Sequence, residues 1–262
     1  MKTLMSSLWS RRELLQMLVA RNLKIRYKGS ALGFFWSLLT PLCFIVIYSV
    51  FARILRFNDN RPGYLQFLIV GIVTWQFFLS CMNDSLHAIV GNVNLIKKTA
   101  FPRIILPLST VLANLVNFLL TVAVLLLYLL AAGEVPAHME AFVPAVLTQT
   151  ALCLGIALLA ASSNVFFRDT EHIVGILSLA WFFLTPIFYP IELQLSHAPA
   201  KLAWMAFLNP MTGVVCASRY AFLGTPMPEF TGMLISAAVS WGVLFAGLAV
   251  FQAAQRRFAD EL

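Results

Sequence analysis

Four basic side chains, Arg21, Lys24, Arg26 and Lys28, crowd the stretch before Gly29, with Tyr27 among them. Arginine offers paired hydrogen bonds to phosphate oxygens and lysine a point charge, so the cluster suits an anionic, phosphate-bearing lipid head group. The same charges also serve a simpler purpose, holding this end of the chain on the cytoplasmic side of a membrane. A second polar set is Asn92, Val93, Asn94, Leu95, Ile96, Lys97 and Lys98, followed by Arg103. A third is embedded in hydrocarbon: Asn114, Asn117 and Thr121, spaced i, i+3, i+7, share one helix face. Such amides either bond to other helices or line a polar path. Aromatic faces stack on sugar rings, and Trp36, Tyr48, Trp75, Trp181, Phe182 and Phe183 are available for that, or for interfacial belts and packing.

Other chemistries are missing. No G-x-x-x-x-G-K-[ST] phosphate loop occurs, nor any Gly-Lys pair, so ATP and its Mg must be bound by another chain. Cys43, Cys81, Cys153 and Cys216 form no C-x-x-C pair and read as small buried hydrophobes, with no metal site expected. No clustered acids or histidines suggest an intramembrane enzyme. An ion-coupled carrier would need an ionisable group near the midplane. Only Asp84, with His87 one turn later, comes close.

The elements that must carry these residues follow from composition. Of 262 residues, 60% are hydrophobic and 11% charged, with a mean hydropathy of +0.85. A soluble domain holds about 25% charged residues, so the chain is read as an all-α integral membrane protein. The net charge of +7 sits beside apolar runs, which points to a membrane surface and away from nucleic acid. The first 30 residues are peppered with charges and lack an apolar run, so the first span is expected to serve as its own insertion signal.

Residues 8–28 are expected to form an amphipathic helix on the membrane, with Leu14, Leu15, Leu18, Val19 and Ile25 to one side. A solvated basic flank is the competing reading. Residues 1–30 are thus an interface segment and 31–262 a six-span domain. The spans are expected at about 32–55 (with Pro41 inside), 64–82, 104–131, 141–161, 172–189 and 230–253. A polar loop, Arg56 to Gly63, follows the first, and a short helix at 92–99 should lie parallel to the membrane. The stretch 203–224 is apolar but broken by Asn209-Pro210, Gly213 and Arg219, which suits a re-entrant helical hairpin between spans five and six. With both termini inside, thirteen of the eighteen Lys and Arg are cytoplasmic, in keeping with the positive-inside rule.

Several segments, in this order and relative to these spans, resemble the permease subunits of polysaccharide-exporting ABC transporters, of the Wzm and TagG kind. They are Arg26-Tyr-Lys-Gly-Ser-Ala-Leu-Gly-Phe-Phe-Trp-Ser-Leu-Leu-Thr-Pro41, Gly91 to Lys98 with Phe101-Pro-Arg103, Arg168-Asp169, and Asn209-Pro210-Met-Thr212. The resemblance implies a homodimer in the bacterial inner membrane, with two copies of a cytoplasmic ATPase beneath it. It implies export of a lipid-linked glycan such as an O-antigen along the dimer axis. It makes the helix before Gly29 an interface helix, 92–99 a helix that couples to the ATPase, and the hairpin an outer gate. Within the same class, a drug or small-lipid exporter is the alternative.

Overall fold

The computed structural model describes residues 9–27, 29, 30, 32, 35–54, 63–98, 101–197 and 200–261. The expected roles of Lys28 and of most of the 56–63 loop fall outside these residues. Among the described residues every regular element is helical, which is the form that satisfies its own backbone in an apolar medium.

The helices are α1 (Arg12–Tyr27), α2 (Trp36–Ile54), α3 (Tyr64–Leu86), α4 (Val93–Lys98), α5 (Ile105–Ala131), α6 (Phe142–Phe166), α7 (Thr170–Leu184), α8 (Ile191–His197), α9 (Pro210–Leu223), α10 (Phe230–Ala254) and α11 (Phe258–Glu261). Single 3-10 turns precede α4 and α6, and Ala200–Leu208 is a longer 3-10 stretch before α9. Gly29 turns the chain between α1 and α2 at φ +80°, a conformation open to glycine.

Among the described residues four segments are long and apolar enough to cross a membrane unaided: Tyr64–Leu86, Ile105–Ala131, Met139–Phe166 and Phe230–Ala254. The other two expected spans are shorter as helices. α2 has 19 residues, about 28 Å at ~1.5 Å per residue. α7 has 15, about 22 Å, and ends where Thr185 turns extended before Pro186. A hydrocarbon core is about 30 Å thick.

α3 is the hub. Within its apolar window 67% of residues are buried, against 22% for α10. It packs on α5, α6, α7 and α9, with Leu68, Val70, Phe78 and Cys81 fully enclosed. The most extensive pairing joins α6 and α10. There a Cβ on Gly155 would lie 2.6 Å from the Leu244 backbone nitrogen, so only glycine lets the two backbones approach this closely.

A second cluster forms the base of the bundle, at the end carrying α1 and α4. Leu18, Ile96, Ile105, Leu158, Phe251 and Phe258 meet there. Leu14 and Leu15, expected on the membrane-facing side of the helix, pack against this protein cluster instead, while Ile25 is exposed. Of the four cysteines, Cys81, Cys153 and Cys216 are buried. Cys43 is exposed on α2, where the reading as a buried hydrophobe does not hold.

Candidate functional site

The base carries the first group of sequence-predicted residues. α1 lies against α5, and Asn22 Nδ2 donates to Ser109 Oγ at 3.2 Å. Arg21 Nη2 donates to Asn92 Oδ1 at 2.7 Å, and Asn92 Nδ2 donates in turn to the Ala88 carbonyl at 2.9 Å. The amphipathic helix and the 92–98 segment are therefore joined by a direct bond. α4 is rooted by Ile96, which is buried in the basal cluster, while Asn94, Lys97 and Lys98 are exposed. Val93 and Leu95 are half-buried. Arg103 donates to the Gln255 carbonyl and so ties the end of this loop to the end of α10.

Above the base opens a cavity of about 570 Å³ between α2, α3 and α5. Its α5 wall is Asn114, Asn117 and Thr121, the face expected from their spacing. Its α3 wall carries Gln76, Ser80 and Asp84, at i, i+4, i+8, among Ile72, Val73 and Phe77, a polar stripe that sequence reasoning did not assemble. The spacing alone, inside an otherwise apolar helix, was a sufficient signal. Trp36, Thr40, Pro41 and Phe44 of α2 complete the wall.

Arg26 stands at the basal end of this cavity and reaches two other helices. It forms an ion pair with Asp84, and its Nη2 donates to Asn114 Oδ1 at 2.7 Å. Asn114 Nδ2 donates to the same Asp84 Oδ2 at 2.9 Å, and to the Thr110 carbonyl at 3.2 Å. Arg26 and Asp84 are each part-exposed (34% and 42% of the side chain), facing the cavity. Lys24 is exposed on α1, and the Tyr27 side chain lies outside the described residues. Nearby, His87 Nε2 lies 3.8 Å from Glu171 Oε1 on the exposed surface.

The aromatic candidates separate. Trp36 lines the cavity. Tyr48 is half-buried against the core, 6.2 Å from the Phe44 ring. Trp75 is 4% exposed and packs on Phe78 and Phe182, with ring centroids 5.2 and 5.4 Å away. Trp181 meets Phe78 edge-on at 4.9 Å. Its Nε1 donates to Asn209 Oδ1 at 2.7 Å, and the same oxygen caps α9 by accepting from the Met211 amide at 3.1 Å. Phe183 is exposed on α7. The cavity thus gathers Arg26 and Trp36 from the sequence-predicted set, whereas Trp75, Trp181 and Phe182 belong to one packed cluster.

One charged residue stands out at the opposite end of the bundle. Arg219 of α9 is 2% exposed. Its Nη1 donates to the Pro186 carbonyl at 2.6 Å, its Nη2 to Ile187 at 2.7 Å and its Nε to Phe67 at 3.2 Å. The guanidinium carbon lies 3.3 Å from the centre of the Phe67 ring. Sequence reasoning saw this arginine as an interruption of an apolar stretch. It is a clamp joining α9, α3 and the irregular segment after α7. Among the described residues no three His, Cys, Asp or Glu side chains gather into a group that could hold a metal.

Residues 13–223 match the family model described as ABC-2 type transporter. The chain is 34% identical over 260 residues, 99% of both chains, to the O-antigen export system permease protein RfbA of Myxococcus xanthus. It is 33% identical over 254 residues, 95% of both, to a protein of that name from Klebsiella pneumoniae. It is also similar to the polysialic acid transport protein KpsM of Escherichia coli, at 27% over 243 residues, 90% of this chain and 91% of that one.

Proposed function

The chain belongs to the ABC-2 type transporter family, and from that premise we propose that it is the membrane-embedded permease of an ATP-driven exporter of lipid-linked, O-antigen-like polysaccharide. It is a transporter subunit and not an enzyme. Hydrolysis belongs to a separate ATPase subunit, which binds ATP and Mg. The functional unit in this reading is a homodimer over two ATPase copies in the inner membrane, with six spans per protomer and both termini cytoplasmic.

The observation that carries the mechanism is the basal link. A partner that pushes the exposed Asn94–Lys98 face moves a helix rooted through Ile96 in the basal cluster. Through Arg21 and Asn92 it moves α1 as well. α1 in turn holds α3 and α5 through Arg26. ATP-driven closure of the ATPases would thus reach the spans beside the cavity by hydrogen bonds and packing, with no loose joint between. The basic face of α1, Arg21, Lys24 and Arg26, is suited to an anionic lipid head group at the membrane surface.

Three features support the finer assembly. α7 buries only Thr170 and Ser178 against its own chain and exposes Ile173, Ile176, Leu177 and Phe183, an apolar face suited to lipid or a second copy. α7, a short apolar helix followed by the bent stretch Thr185–Tyr189, is the fifth crossing in this reading. The 3-10 stretch and α9 both pack on α10, with Ser236 Oγ donating to the Phe207 carbonyl at 3.0 Å. This arrangement is compatible with a re-entrant outer gate. An ion-coupled carrier is disfavoured because Asp84, the acid it would use, is held by Arg26.

The test is co-purification of the ATPase after replacing Asn94, Lys97 and Lys98 by Asp, Glu and Glu. Assembly should be lost while the permease keeps its fold, because these side chains are exposed. Ile96 must be left alone, since it anchors the base. Undiminished assembly and export would refute the coupling role.

A further inference from the structure

Asp84 Oδ2 is gripped by two donors from different helices, the Arg26 guanidinium of α1 and the Asn114 amide of α5. That is a two-donor cradle for an oxyanion, and the chain's own carboxylate fills it. A phosphate oxygen offers the same acceptor geometry with more charge, and guanidinium groups favour phosphate as readily as carboxylate. The pair is part-exposed to the cavity, so an incoming oxyanion can reach Arg26 and Asn114 from there.

What adjoins the cradle decides what else the ligand carries. Gln76, Ser80, Asn117 and Thr121 line the cavity among the apolar Ile72, Val73, Phe77 and Phe118, with the Trp36 and Phe44 rings in the same wall. Amides and hydroxyls match sugar hydroxyl groups, and aromatic faces match the C–H faces of a pyranose. A cavity of about 570 Å³ lies within the ~300–1,000 Å³ range of small-molecule sites.

We propose that the cavity between α2, α3 and α5 is the binding site for the phosphorylated first sugar of the exported lipid-linked glycan, with a phosphate oxygen taking the place of Asp84 on Arg26 and Asn114. The proposal rests on the reading of the substrate as a phosphate-bearing lipid-linked glycan, and it adds the site and the exchange. On displacement, Arg26 gains a ligand anchored in the substrate, and α1 senses that the cavity is filled.

The experiment measures binding to the full-length protein with its ATPase in lipid nanodiscs, using the fluorescence of Trp36 in the cavity against a Trp36→Phe control. Three probes separate the sources of the phosphate: inorganic pyrophosphate, farnesyl diphosphate, and farnesyl diphosphate linked to N-acetylglucosamine. In the unmutated protein affinity should rise in that order. The sugar should contribute about tenfold, the effect of one or two well-placed hydrogen bonds. Asp84→Asn removes the internal competitor and should tighten farnesyl diphosphate binding by about tenfold, as expected when a site is freed from a mostly closed state. Arg26→Gln should weaken it by a similar factor. Gln76→Leu with Asn117→Leu should abolish the advantage of the sugar and leave farnesyl diphosphate unchanged.

Equal affinity for the last two probes would overturn the sugar site. An Asp84→Asn protein that binds no more tightly would overturn the exchange. Binding that depends on Arg21 and Lys24 but not on Arg26 would keep head-group recognition on α1 and reject this cavity. If neither lipid probe binds, both readings fail together. The ranking of the three probes on the unmutated protein stands even if a variant does not fold.

Discussion

Replacing Arg219 with Met removes the clamp at the end of the bundle opposite α1, and its cost can be worked from the contacts. The Phe67 carbonyl lies inside α3 and keeps its helical partner. The Pro186 and Ile187 carbonyls lie outside any helix and accept from Arg219 at 2.6 and 2.7 Å. Leaving each buried without a donor costs about 1–3 kcal/mol. Losing the cation over the Phe67 ring costs about 2 kcal/mol more at a desolvated site. Against this, a guanidinium no longer has to be held out of water, which returns several kcal/mol. The losses come to about 4–8 kcal/mol, and with about 3 kcal/mol returned by desolvation the net expectation is a loss of about 1–5 kcal/mol in unfolding free energy. Arg219→Lys should be no better than Met, because one ammonium cannot span three carbonyls and has no planar face to lay on the ring. Gly71→Ala should reproduce part of the loss, since its Cβ would sit 2.7 Å from Arg219 Nη2. The assay is reversible unfolding by SDS titration in mixed micelles. An Arg219→Met protein within about 0.5 kcal/mol of the parent, the usual range for an inert surface change, would refute the clamp.

Other outcomes follow from the same geometry. Gly155→Val should separate α6 from α10 and cost about 1–3 kcal/mol or more, read by the same titration, because the obstructing atoms are backbone and cannot turn aside. Asn209→Ala removes the α9 cap and the partner of Trp181, and should cost about 1–2 kcal/mol, with a red shift in Trp181 emission as its ring loosens. Arg21→Gln should leave ATPase assembly intact but lower export per ATP hydrolysed, because the bond from α1 to the 92–98 segment is cut. Ile96→Asp, by contrast, should lower the yield of folded protein itself, seen by size-exclusion chromatography.

Much of the fold was legible because the bilayer imposes a strong constraint. The apolar runs at Tyr64, Ile105 and Phe230 gave helices starting within a residue of the expected positions. The run from Thr170 was legible as apolar but not in its helical length, since Thr185 and Pro186 end it early. Hydrocarbon content cannot tell helix from extended chain. At the site, the spacing of Asn114, Asn117 and Thr121 revealed a shared face, but not what it faced. Arg26 meets Asp84 and Asn114 across 58 and 88 positions of sequence, and no local pattern encodes such a contact. Trp181 shows the converse. Its residue type suggested a sugar contact, yet Asn209, twenty-eight positions on, engages its polar edge. Arg219 was hidden because a lone cation reads as a break in an apolar stretch unless its three carbonyl partners are seen.

The central claim is that this chain exports a lipid-linked glycan only when an ATPase drives it through the α1–α4 base. The most direct measurement places the purified permease and its ATPase in proteoliposomes, with the lipid-linked glycan supplied on the ATPase side. Arrival of sugar on the other side is detected by a membrane-impermeant lectin. The account predicts transfer that requires hydrolysable ATP, stops with a non-hydrolysable analogue, and is insensitive to a proton ionophore. Transfer by the permease alone, or transfer driven by a proton gradient without ATP, would contradict it.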